Sequence, residues 1–188
     1  IYILSNFMNN IEIDGLYFEL LISKDEISEK INYLYDNLVI NYKKKWPLCL
    51  VVLNGAAVFA NELLQKVSPE VDIEFLKVHS YKGLNSTNKI TIDYIPYHLI
   101  KNQNILLIED IVDSGLTLDF LKNELINCGA KRVECITLLF KPSKYQYKIK
   151  PNHIGFNIGD EFIVGYGMDF NEKGRSLKNI YKNIIHKN

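Results

Sequence analysis

Apolar and polar positions along the chain follow distinct rhythms. Ile27, Ile31, Leu34, Tyr35 and Leu38 recur at the three-and-four spacing of one helical face. Ser23 and Glu26 stand where a capping box would open that helix, which is expected to run to about Asn41. LCLVVL at 48–53 is a short continuous apolar run, the pattern of a strand buried on both faces. Asn54-Gly55 breaks it, and AAVFANELLQKV resumes as helix. DIEFLKV at 72–78 reads as a second strand, followed by a polar loop at 80–89. ILLIED, starting at Ile105, is a third. After it comes a helix from about Leu116 to Cys128, with Gly129 as its stop, and VECITLL at 133–139 is a fourth strand. Shorter strands are expected near 154–157 and 162–165.

Strand and helix alternating in this way predict an α/β fold, a mostly parallel central sheet flanked by helices. Ligands of such sheets sit beyond the carboxyl ends of the strands. The places to look are therefore Asn54-Gly55, 79–89, 109–117, Lys141 and 165–169. Composition narrows the partners. The 22 basic and 22 acidic side chains cancel, a poor basis for nucleic-acid binding. No apolar run is long enough to span a bilayer, and IYILSNFMNN lacks the features of a signal peptide. A single-domain cytoplasmic protein with no nucleic-acid or membrane partner is expected. Cys49, Cys128 and Cys135 lie among apolar neighbours without metal-ligand or disulfide spacing, and read as reduced structural residues. His79, His98, His153 and His186 show no zinc pattern.

The stretch 105–118, ILLIEDIVDSGLTL, carries the chemistry. A buried strand ends in Glu109 and Asp110, and Asp113-Ser114-Gly115 leads into a helix with Thr117 in its first turn. Free N–H groups at a helix start form an anion site. Gly115 lets a ligand approach the backbone, while Ser114 and Thr117 add hydroxyl donors. This is a phosphate cradle without a Walker lysine, since neither GxxxxGK[ST] nor GxGxxG occurs. A carboxylate about 4 Å from phosphate would be repelled by roughly 4 kcal/mol at an effective dielectric near 20. Glu109 and Asp110 are therefore expected to turn away from it, toward sugar hydroxyls or a hydrated Mg²⁺. Phosphate on one side and a diol on the other describe a phosphorylated ribose.

These residues resemble the signature of the type I phosphoribosyltransferases, and the flanks from about Leu50 to Leu177 resemble the hypoxanthine-guanine branch. The resemblance implies one domain over 1–188, with a core of about 20–165. A small hood would come from the N-terminal segment and about 154–188. It assigns the ribose 5-phosphate of phosphoribosyl pyrophosphate to Asp113, Ser114, Gly115, Leu116 and Thr117, and the ribose 2- and 3-hydroxyls to Glu109 and Asp110. LNGA at 53–56 matches the pyrophosphate loop, with Asn54 in place of the usual Lys and Gly55 keeping the backbone role. HSYKGLNSTNK at 79–89 matches the mobile catalytic loop, with Ser80 and Tyr81 as its Ser-Tyr pair. Lys141 would donate to the purine 6-oxygen, as an ammonium with donors and no acceptor can. In FIVGYGMDFNEKGR at 162–175, Phe162 would stack on the base and the Ile163 backbone would meet its edge. Asp169 would lie near the 2-position and a metal, and Arg175 would hold pyrophosphate.

The implied activity is Mg²⁺-dependent phosphoribosyl transfer to N9 of hypoxanthine or guanine. Glu109, Asp110 and Asp169 would be the metal ligands and Asp113 the catalytic group at N7. The family's habit implies a homodimer or homotetramer. A xanthine-preferring relative and a non-catalytic nucleotide sensor of the same fold are the alternatives.

Overall fold

The computed structural model describes residues 10–43, 45–67, 69–82 and 88–184. β1 (Asn10–Ile13) and β2 (Leu16–Ile22) form an opening hairpin. α1 (Lys24–Asn41) begins with the expected capping box. The Glu26 N–H donates to Ser23 Oγ at 3.3 Å, and the Ser23 N–H donates back to the Glu26 carboxylate at 2.9 Å. Then follow β3 (Leu48–Leu53), α2 (Ala57–Leu64), β4 (Ile73–Lys82), β5 (Asn88–Tyr94) and the single turn α3 (Tyr97–Ile100). β6 (Asn104–Val112), α4 (Leu116–Asn127), β7 (Arg132–Phe140) and β8 (His153–Asn157) continue the chain, and β9 (Ile163–Val164) and β10 (Ile180–Asn183) complete it.

Six strands form the large sheet in the order β5-β4-β3-β6-β7-β8, parallel throughout except for β5. A second, antiparallel sheet runs β1-β2-β10-β9. The central strands are apolar without interruption because both faces are covered. On β3, Cys49 and Val51 join the core under α1 and α2, whereas Leu48, Leu50 and Val52 join the core under α3 and α4. On β6, Leu106 and Ile108 face the first core, Ile105 and Leu107 the second. All three cysteines are free, and burial pushes the Cys49 thiol up to about 12. No helix among the described residues is long and apolar enough to cross a membrane.

The structure alters two expectations. The segment 80–89 is not a loop throughout, because β4 continues to Lys82 and β5 returns from Asn88 to pair with it. This ribbon reaches the edge of the sheet, so its polar alternation reads as loop when strand pairing is not in view. The second layer also takes up the chain at Ile163 and not near 154. β8 belongs to the large sheet, where Leu139 pairs with Phe156 and Phe140 with Asn157.

Candidate active site

β6 carries its apolar residues through the middle of the large sheet and delivers Glu109 and Asp110 to its carboxyl end. The chain then turns through Asp113-Ser114-Gly115 into α4. Gly115 is the helix N-cap, at φ +88, and has no side chain to cap the first turn. The Leu116 N–H reaches Ser114 Oγ at a long 3.4 Å. The orphan donors of this turn border a cavity of about 370 Å³ that is also lined by Asp113, Ser114, Leu116 and Thr117. The turn into α4 is thus a concavity at a helix start.

Two further cavities adjoin it through shared walls. One, of about 320 Å³, brings together Asn54, Gly55, Glu109, Asp110, Thr117, Asp169 and Arg175. The other, of about 210 Å³, is lined by Asp110, Asp113, Lys141, Phe162, Ile163, Met168 and Asp169. Segments far apart in sequence therefore converge on the β6 end. The Leu53–Asn54 peptide is cis. Gly55 is required by close approach, because a Cβ there would run into the Asp110 carboxylate.

Glu109 is buried, and Asp110 beside it is half-buried. Burial first, and then each other's presence, hold the Glu109 carboxyl well above the usual range, and burial raises Asp110. The Ile111 N–H donates to Asp110 Oδ1 at 2.9 Å. Glu109 also borders the cavity at the start of α4, which the repulsion argument kept clear of both acids.

In the third cavity Lys141, 4% exposed, follows the end of β7 and donates from Nζ to Asp113 Oδ2 at 3.0 Å. Its N–H is fixed on the Val112 carbonyl at 3.0 Å, which locks the ends of β6 and β7 together. Phe162 remains 48% exposed, unusual for an aromatic at a strand and suited to a stacking platform. Behind it stand Phe18, with ring centroids 6.3 Å apart, and Phe170, at 5.7 Å and edge-on. On the far wall Arg175 donates to Asp169 Oδ1 at 2.7 Å and to the Gly167 carbonyl at 2.8 Å. Asp169 Oδ2 accepts from the Glu172 N–H at 2.8 Å.

Among the described residues, no three His, Cys, Asp or Glu side chains converge as a metal cage. Adjacent carboxylates at a cavity wall, Glu109 and Asp110, nevertheless fit a hard cation that keeps its waters and shares substrate oxygens, as Mg²⁺ does. Of the expected mobile loop, residues 83–87 and the side chains of Ser80 and Tyr81 lie outside the described residues. The structure adds Lys144, which lines the cavity at the start of α4 with its Nζ 4.0 Å from Asp113 Oδ1. It adds Met168 to the third cavity as well. Lys144 sits in KPSKYQYKIK, where a basic residue looks like any solvated lysine.

The family model of the phosphoribosyl transferase domain matches residues 19–171. The chain is 37% identical over 166 residues to the hypoxanthine-guanine phosphoribosyltransferase of Lactococcus lactis subsp. lactis, covering 88% of this chain and 90% of that one. It is 38% identical over 160 residues, 85% of its own length, to the bifunctional protein TilS/HprT of Listeria monocytogenes, and spans 25% of that larger protein. It also resembles the crystal structure of a hypoxanthine-guanine phosphoribosyltransferase from Bacillus anthracis. The TM-score is 0.82 at 34% identity, covering 88% of this chain and 98% of that one.

Proposed function

The chain belongs to the phosphoribosyltransferase family, and we propose that it acts in purine salvage. The reaction is transfer of the 5-phosphoribosyl group from phosphoribosyl pyrophosphate to N9 of hypoxanthine or guanine. It yields the nucleoside 5-monophosphate and pyrophosphate, with inversion at the anomeric carbon. The observation that carries this reading is the Lys141–Asp113 pair at 3.0 Å, set between the phosphate cradle and the exposed face of Phe162. A 6-oxopurine presents O6 and N7 side by side on one edge. Lys141 would donate to O6, and Asp113 would accept a hydrogen bond from protonated N7. A 6-amino group would itself offer the buried ammonium no acceptor, only opposing donors, which discriminates strongly.

The cradle at 113–117 would bind the 5-phosphate, and Glu109 and Asp110 would accept hydrogen bonds from the ribose hydroxyls. Asn54 and Gly55, through their backbone, and Arg175 would hold pyrophosphate as positive charge develops on the ribose. The Ile163 backbone and Asp169 would border the base, and Ser80 and Tyr81 would belong to a loop that closes over the site and excludes water. Glu109, Asp110 and Asp169 would hold Mg²⁺. When bound with pyrophosphate, the ion would neutralise charge on the leaving group. A homodimer or homotetramer in the cytoplasm is the setting expected for this family.

Initial rates with phosphoribosyl pyrophosphate and Mg²⁺ across hypoxanthine, guanine, xanthine, adenine and uracil test the proposal. Turnover of hypoxanthine or guanine, with adenine and uracil inert, is the expected result. Adenine turnover would overturn Lys141 as the selector. Nucleotide binding without any turnover would make the protein a sensor.

A further inference from the structure

The turn at 165–169 runs through three consecutive residues at positive φ: Gly165 at +100, Tyr166 at +48 and Gly167 at +97. Glycine is required at two of them. A Cβ on Gly165 would run into the Asn179 carbonyl, and one on Gly167 into the Gly55 carbonyl. Tyr166 between them is a bulky residue in a left-handed conformation that usually costs about 1–2 kcal/mol. Something must hold it there. Its side chain is 3% exposed, and its hydroxyl donates to Glu62 Oε2 at 2.5 Å. Glu62 lies on α2, and its other oxygen accepts from Ser28 Oγ of α1 at 2.7 Å. Burial and the Glu62 carboxylate push the phenol well above its ordinary value, so the proton stays on the tyrosine.

The geometry points to Tyr166 and Glu62, steadied by Ser28, as positioning residues that hold the two walls of the pyrophosphate cavity in register. α2 starts two residues after Gly55, so Glu62 is rigidly connected to the Asn54-Gly55 wall. Tyr166 neighbours Gly167, whose carbonyl receives Arg175 and whose N–H donates to the Arg175 carbonyl at 2.9 Å. One half-buried carboxylate thus ties the backbone wall to the arginine wall, and none of Tyr166, Glu62 and Ser28 lines any of the three cavities. This inference rests on the pyrophosphate reading of the cavity. Binding sites lose affinity sharply when supporting groups slacken, so the effect should appear in pyrophosphate affinity.

The test is isothermal titration of Mg²⁺-pyrophosphate into the full chain and into Tyr166→Phe, with initial rates and melting curves measured in parallel. Tyr166→Phe removes one hydroxyl and leaves the ring. Pyrophosphate affinity should fall roughly tenfold, as for a lost hydrogen bond to a charged group. KM for phosphoribosyl pyrophosphate should rise in step, and KM for hypoxanthine should stay within about twofold. Ser28→Ala should shift the same quantities by a smaller factor, and covers the case in which Tyr166→Phe folds poorly. Unchanged pyrophosphate affinity in both variants, with only a lower Tm, would reduce the relay to a fold contact and overturn the inference. If the unmodified chain binds pyrophosphate but transfers no phosphoribosyl group, the activity reading fails and the titrations still decide the relay. A chain that binds no pyrophosphate overturns both.

Discussion

Lys141 and Asp113 are the pair on which the proposed base chemistry turns. Asp113 borders both the cavity at the start of α4 and the cavity beside Phe162, and it meets the Lys141 ammonium at 3.0 Å. Asp113→Asn keeps shape and removes the charge. If Asp113 stabilises positive charge on the purine in the transition state, kcat should fall by roughly 100-fold or more, the usual range for such groups. The dissociation constant of phosphoribosyl pyrophosphate should stay within about threefold, as separate rate and binding measurements would show. Equal losses would make Asp113 a binding residue only. Lys144 is half exposed, so its contribution is screened. Lys144→Met should raise KM for phosphoribosyl pyrophosphate by roughly two- to fivefold at low salt and less at high salt. Glu109, Asp110 and Asp113 were legible as candidate site residues because a buried strand that ends in carboxylates needs a reason for them. Lys144 was not, because its role depends on how residues 141–147 fold back beside α4.

At the scale of elements, the site depends on turns that bring backbones into contact. Gly167 rests on the Gly55 carbonyl, whereas Gly15, at φ +78 in the β1–β2 turn, has open space where a Cβ would lie. The two glycines share a left-handed backbone and differ in what surrounds them. Gly15→Ala should cost about 1–2 kcal/mol, the backbone preference alone. Gly167→Ala should cost at least about 1 kcal/mol more, because overpacking is added. Urea unfolding of both variants checks the order, and equal losses would mean that the Gly55 contact relaxes freely. Periodicity predicts β3, β6, β7, α1 and α4 well, since each buries apolar residues in a regular rhythm. β1, β2, β5 and β10 carry no such signal. They lie in the small sheet or at the edge of the large one, where most described side chains are only partly buried or exposed.

For the whole molecule, stability depends on a titratable cluster remote from the site. His153 of β8 has a side chain 12% exposed, 3.9 Å from Glu134 of β7. Glu134 also accepts from the Tyr42 hydroxyl and pairs with Arg132. Burial lowers the His153 pKa below its ordinary value near 6.5, with Glu134 pulling the other way. The unfolded chain therefore takes up a proton that the folded one resists. The stability from this group is complete above about pH 6.5 and is lost as pH falls through the lower folded value. His153→Gln should flatten the decline in Tm between about pH 6.5 and 5, measured by thermal melts without ligand. An unchanged slope would assign the acid lability elsewhere.

The sequence by itself determined the parallel α/β core, the carboxylate-rich strand end and helix start at 109–117, and the resemblance to the hypoxanthine-guanine phosphoribosyltransferases. Those features are local: a periodicity, or a motif whose residues are neighbours in the chain. Only the tertiary structure decided how Asn54-Gly55, Lys141, Phe162 and Arg175 meet at the end of β6. It also decided the pairing of Lys141 with Asp113 and the tie from Tyr166 through Glu62 to Ser28. These contacts join residues from 28 to 104 positions apart. Sheet order and helix packing set such distances, and no pattern along a single chain encodes them.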